Sequence, residues 1–235
     1  MMKRFIIILL VCAFAFFGFS CASGNRGPQY PNMVADMDPF PIGTITAQFD
    51  RLLSSQLTTN DVQVFFYPRE NAVVLQFRHE FVTYRQFWDM KGREQFSAAL
   101  NRYKEDYAVR NLSTRYNRTK AVYGKVMGRL EWQSFAFTAV REASPVIDLG
   151  YRFKGDMPFF VTGQNPAREE GTASEQDKQE AVQVNMYFTR AQADELVKLF
   201  DQSWLLGLLG DRGTFRPMEE SMEESTPDGY REYGD

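Results

Sequence analysis

Apolar and polar positions alternate clearly in the first half of the chain. Val62 to Tyr67 reads as a strand, Pro68-Arg69-Glu70-Asn71 as a turn, and the pattern resumes with Val73, Leu75, Phe77 and Phe81 on one face and Gln76, Arg78 and Glu80 on the other. Just before this, Thr44 to Leu57 places Phe49, Leu52 and Leu53 on one side at helical spacing, which predicts a short helix. Around Thr83 the period changes. Phe96, Leu100, Tyr103 and Tyr107 share one helical face, so a helix is expected from about Asp89 to Val109. Thr83 with Gln86 fits a capping box that would start it earlier, and Gly92 would then lie inside it.

Lys120 to Ala139 reads as one long strand, or two with a bend, with Val122, Val126, Leu130 and Trp132 on one face. Ala143-Ser144-Pro145 turns the chain, Val146 to Phe153 is a further strand, Lys154-Gly155-Asp156 is a turn, and Pro158 to Thr162 returns as an edge-like strand. Gln164 to Glu180 is polar and predicts a loop. Ala181 to Phe188 is the last strand. Thr189 and Gln192 form a capping box for a helix running to about Leu209, with Leu196, Leu199, Phe200 and Trp204 on its stripe and Gly210 at its end. The expected fold class is α+β: an antiparallel sheet with two main helices packed on it, arranged as two ββ(β)α units.

Composition adjusts this picture little. The 235 residues are 44% hydrophobic and include 21 Phe, 11 Tyr and 3 Trp, a load that favours strands and a sizeable core. The formal charge is −3, and this mild acidity argues against a surface that coats nucleic acid. The termini change more. Lys3 and Arg4 precede an unbroken apolar run from Phe5 to Phe17, the length of a signal h-region and too short for a comfortable membrane span. The expected layout is a signal peptide at 1–20, a Gly-, Pro- and Ser-bearing tether at 21–42, one α+β domain at 43–209 and an acidic tail at 210–235.

The residues after the apolar run are Gly18-Phe19-Ser20-Cys21-Ala22-Ser23. This segment resembles the lipobox of bacterial lipoproteins, in the relaxed form found in spirochaetes, with Gly18 where leucine is usual. The resemblance implies that Cys21 becomes an acylated mature N-terminus and fixes the protein to a membrane of the cell envelope. Cysteine usage agrees: the only other cysteine is Cys12, inside the apolar run, so the domain has no disulfide, no thiolate metal site and no thiol nucleophile.

Candidate chemistry is sparse. His79, the one histidine, shares a face with Val73, Leu75, Phe77 and Phe81 and reads as a buried, hydrogen-bonded core residue. Glu131 and Asp148 lie on predicted strands, where a suitably spaced carboxylate pair could hydrolyse glycosides. From Ala108 to Leu130 the chain carries Arg110, Arg115, Arg118, Lys120, Lys125 and Arg129 with Tyr116 and Tyr123 between them, and no acid. Cations interleaved with aromatics suit a polyanion, through charge contacts and stacking.

These features lead to a lipid-anchored envelope protein with a binding or scaffolding role. Its partners would be the membrane, through the N-terminal lipid, and an anionic envelope component or a protein; no cofactor or metal is implied. A carbohydrate-active hydrolase and a polyanion or nucleic-acid module are the alternatives. The order of strands leading into a helix, repeated, is similar to that of the PUR and Whirly proteins, but export disfavours nucleic acid.

Overall fold

A computed structural model of the chain describes residues 30–51, 54–112, 119–134, 139–171, 174 and 176–211. Contacts divide the chain after Pro31, and the unit described is the one beginning at Asn32. Four strands come first: β1 (Phe40–Arg51), β2 (Ser54–Tyr67), β3 (Ala72–His79) and β4 (Val82–Trp88). Helix α1 (Met90–Ala108) follows. Then come β5 (Lys120–Met127), β6 (Arg129–Ser134), β7 (Arg141–Ala143), β8 (Val146–Lys154) and β9 (Met157–Gln164). A small pair, β10 (Ala167–Arg168) and β11 (Glu180–Ala181), leads to β12 (Val184–Phe188) and to helices α2 (Arg190–Phe200) and α3 (Gln202–Asp211).

Ten strands form one antiparallel sheet in the order β5-β8-β9-β12-β1-β2-β3-β4-β6-β7. Its first member, β5, is separated from its ninth, β6, by Gly128 alone. β5 and β6 are therefore two halves of one bent strand that pairs with β8 at one extreme of the sheet and with β4 at the other. The partner strand β7–β8 keeps one register along both halves, Val126 opposite Ile147 and Leu130 opposite Ala143, and Gly128 N–H donates to the Pro145 carbonyl at the bend. The sheet thus curls until its two ends meet. Gln86 of β4 and Gln164 of β9 hydrogen-bond across the inside at 2.8 Å.

The inner face is apolar and holds the helices. Ile45, Ala47 and Phe49 of β1, Val62, Val64 and Phe66 of β2, and Val73, Leu75 and Phe77 of β3 are all buried. From α1, Phe96 meets Trp88 at 5.8 Å, Phe160 at 5.2 Å and Phe200 of α2 at 5.1 Å between ring centroids. Each such ring contributes on the order of 2–3 kcal/mol by leaving water. α1 and α2 start where β4 and β12 finish, and the β3–β4 turn marks the other end, the mouth, where Arg51, His79 and Glu80 line a cavity. The outer face carries charge instead: Arg85–Glu131, Lys125–Asp148 and Arg129–Glu70 pair there at 3.2, 3.5 and 2.8 Å.

The α+β class, the antiparallel sheet and the helices packed on it stand as expected. Several local expectations give way. Thr44–Leu57 is not a helix: Ile45, Ala47 and Phe49 alternate into the core, and two-residue periodicity wins where the sheet buries that face. Val82–Trp88 is a fourth strand, so Thr83 does not cap a helix; the cap is Asp89, whose side chain accepts the Gly92 N–H at 2.7 Å. Phe81 belongs to the β3–β4 turn and is 71% exposed, outside the face assigned to it.

Val122 is exposed too, because a bulge between Val122 and Gly124 flips the alternation that Val126, Leu130 and Trp132 obey. At this bulge the neighbouring backbone presses so close that a Cβ on Gly150 would lie 2.0 Å from the Ala121 carbonyl oxygen. β9 is no edge: it pairs with β8 and β12, and Pro158 is tolerated as its second residue. The final helix is two, because Asp201 leaves helical geometry and caps α3 by accepting the Trp204 N–H at 2.8 Å. Trp204 consequently leaves the buried stripe, and Gly210 lies within α3 rather than after it.

Candidate functional site

Of the basic stretch, Arg110, Lys120, Tyr123, Lys125 and Arg129 are among the described residues. Arg115, Tyr116 and Arg118 lie outside the described residues, as does Cys21. Arg129 stands on the outer face, its guanidinium 3.6 Å over the Phe87 ring, paired with Glu70 and, at 3.8 Å, near Glu142. Lys125 pairs with Asp148. The Tyr123 hydroxyl donates to Asp106 at 2.8 Å and its ring packs on Tyr151, so it serves the join between α1 and the sheet. Lys120 is exposed, opposite Arg152 at the start of β5. Arg110 follows α1 in a left-handed conformation, φ 53°.

Arg110 does reach a groove. Tyr107 and Ala108 from the end of α1, Leu112, Phe153, Asp156 and Pro158 from the β8–β9 turn, and Arg190 from the start of α2 line a space of about 440 Å³. The turn that shapes it is set by Gly155, φ 58°. Arg190 stacks its guanidinium 3.9 Å over the Tyr107 ring. Neither Arg110 nor Arg190 forms an ion pair with a described carboxylate, although Asp156 lines the same groove. Arg190 was beyond sequence reasoning because only the sheet's closure brings α2 beside the end of α1.

The carboxylate pair is not assembled. Glu131 is bound to Arg85 and Asp148 to Lys125. Asp148 sits opposite Lys125, six residues from Glu131 on the same bent strand, which amounts to roughly 15–20 Å. Glycosidase carboxylates stand about 5–9.5 Å apart.

A second cavity, of about 520 Å³, opens at the mouth, where β2 runs on past the end of β3. Arg51, Thr58, Thr59, Asn60, Asp61, Arg78, His79 and Glu80 line it. Asn60 Nδ2 donates to the Arg78 carbonyl at 3.0 Å, and the Thr58 hydroxyl to the Phe49 carbonyl at 3.4 Å, which fixes this wall. His79 is buried, 7% exposed, and stacked on Phe49 at 5.7 Å, as its place in the apolar alternation foretold. Burial holds its imidazole below the ordinary histidine value, with Glu80 and Asp50 pulling the other way. No described group hydrogen-bonds to it.

Among the described residues no cluster of three metal-ligating side chains occurs, and no helix is long and apolar enough to cross a membrane. A family model described as "Uncharacterised Treponema protein" matches residues 41–206, the span from β1 into α3. The chain belongs to this family. Comparison with curated proteins and with solved structures found no match. The family's description points to a spirochaete genus; the matched span holds both cavities and does not include Cys21 or the acidic end of the chain.

Proposed function

We propose that this protein is fixed to the cell envelope by lipid at Cys21 and that its folded domain binds an anionic envelope component in the groove between Arg110 and Arg190. The observation that carries the reading is the pair of arginines flanking a partly apolar groove without an ion pair to any described acid. Lys125, Arg129 and Lys154 each pair with an acid, whereas these two arginines flank one groove with no such pair, which favours a ligand that brings its own negative charge. The lipobox-like segment supports the envelope placement. Two acyl signals or more at one cysteine hold a protein stably on a bilayer.

Two measurements test this. Mass spectrometry of the mature N-terminus should find an acylated Cys21, and Cys21→Ala should leave the chain unprocessed; an unmodified Cys21 with cleavage elsewhere sinks the tether. For the groove, the full-length chain in detergent is titrated into a fluorescent sulfated oligosaccharide. Binding should weaken as salt rises, and Arg110→Glu with Arg190→Glu should cost about tenfold or more in affinity. Equal affinity of the double variant and the parent removes the groove from the account.

A further inference from the structure

The mouth cavity shares no lining residue with that groove and is independent of that reading. We infer that it is a binding site for a polyhydroxylated ligand, a saccharide, held by Arg51, Arg78, Asp61, Glu80 and the inward edge of His79.

The first reason is His79 itself. The residue is 7% exposed overall, yet its ring nitrogens are not shut away from the cavity, so they are open to whatever fills that space. Among the described residues His79 has no hydrogen-bond partner, and it lines the cavity. A ligand placed there would supply one.

The second reason is the balance of the lining. Arg51 and Arg78 donate, Asp61 and Glu80 accept, and their formal charges cancel. No two of these four are joined by an ion pair, so all remain available. An anion would be attracted by the arginines and repelled by the acids. A hydroxyl both donates and accepts, and a ring bearing several uses both kinds of group at once. The lining is too polar for a ligand held by apolar contact.

The third reason is the rim. The β3–β4 hairpin turns in two residues, Glu80 and Phe81, and requires a positive φ at the first: Glu80 has φ 52°. Glycine or asparagine would take that conformation with less strain. Glutamate there keeps a carboxylate at the cavity edge, and the next residue, Phe81, exposes a flat ring on which the C–H face of a sugar can rest.

Because His79 is the protein's one histidine, its imidazole signals in a ¹H–¹⁵N or ¹H–¹³C spectrum need no assignment. The full-length chain, in a detergent without a sugar headgroup, is titrated separately with glucose, N-acetylglucosamine and inorganic phosphate, each up to about 50 mM, which covers weak single-site binding. A saturable shift of the His79 signals with a sugar is expected, with Arg51→Ala and Glu80→Asn each weakening it about fivefold or more. Glu80→Asn should leave thermal stability unchanged or raised, which separates lost binding from lost structure. A shift with phosphate alone makes the mouth an anion site and overturns the inference. So does the absence of any shift, and so does a sugar shift that both variants leave intact. The free His79 signals of each variant report whether its mouth is folded.

Discussion

Arg93 and His79 are both basic side chains buried at opposite ends of the same curled sheet, and their surroundings differ completely. At the helix-packed end Arg93, 2% exposed, spends its whole guanidinium on the protein. It donates to the Phe200 carbonyl at 2.9 Å, to the Asn71 backbone and side-chain oxygens at 3.2 Å, and to Gln202 Oε1 at 2.7 Å. It thereby joins the start of α1, the β2–β3 turn and the carbonyl end of α2, where the helix dipole favours a cation. Nearby Tyr103 donates to the Pro158 carbonyl and Tyr151 to that of Leu112. At the mouth His79 is nearly as buried and has no such partner. Arg93 is held by acceptors from three elements, whereas the His79 ring nitrogens face a cavity with no described acceptor or donor in reach.

Breaking the satisfied side of this contrast should have the largest effect. Burial pushes the Arg93 guanidinium down to about 10, partly countered by Asp89, Glu94 and Asp201, and it remains charged at neutral pH. Arg93→Ala strands the Phe200 and Asn71 oxygens inside the fold, so a loss of about 3–5 kcal/mol is expected from the urea midpoint. Arg93→Lys should recover little, since an ammonium cannot reach three separated acceptors.

Asp50 sharpens the comparison, because it lies at the mouth end yet is partnered as Arg93 is. Its carboxylate, on the outer face, accepts from Lys154 at 2.6 Å, Tyr187 at 2.8 Å and Asn185 at 3.0 Å. Burial alone would raise its pKa, but these hydrogen bonds outweigh burial and hold it below the ordinary aspartate value. Its contribution is therefore complete above about pH 4, the unfolded value, and is lost as pH falls through the lower folded value. Asp50→Asn should cost about 1–2 kcal/mol at neutral pH and flatten the acid limb of Tm against pH. An unchanged acid limb would show that partnering at the mouth end is not structural.

These contrasts also mark what could be read from the chain. The Thr189–Gln192 capping box, the Gly155 turn and the strands at Val62, Val73 and Val146 were legible because each rests on neighbours in sequence. β4 was hidden because Gln86 interrupts its apolar alternation, and what justifies a glutamine there is Gln164, distant in sequence and across the sheet. The break at Asp201 was hidden by apolar periodicity that continues through it. His79 was placed correctly in the core face, but its lack of a partner depends on β2 overrunning β3, which no local pattern records. The basic stretch was visible as composition; of its described members Lys120, Lys125 and Arg129 lie along one bent strand, and Arg110 alone lines the groove, beside an Arg190 that no local pattern brings there.

The smallest expected effect is the most discriminating. His79→Phe removes the polar edge and keeps the ring, so the stacking on Phe49 persists and the adjoining cavity leaves room for the slightly larger side chain. If the imidazole has no structural partner, replacing it with an apolar ring of similar shape forfeits nothing and removes an unmet polar group. The urea midpoint should then move by less than about 1 kcal/mol in either direction, and a rise is as compatible with the argument as no change. Calorimetry on the same variant should meanwhile lose the heat of any sugar that shifts the parent's His79 signals. A cost approaching that of Arg93→Ala would mean that His79 is held by the fold after all. The two ends of the sheet would then differ in composition but not in purpose.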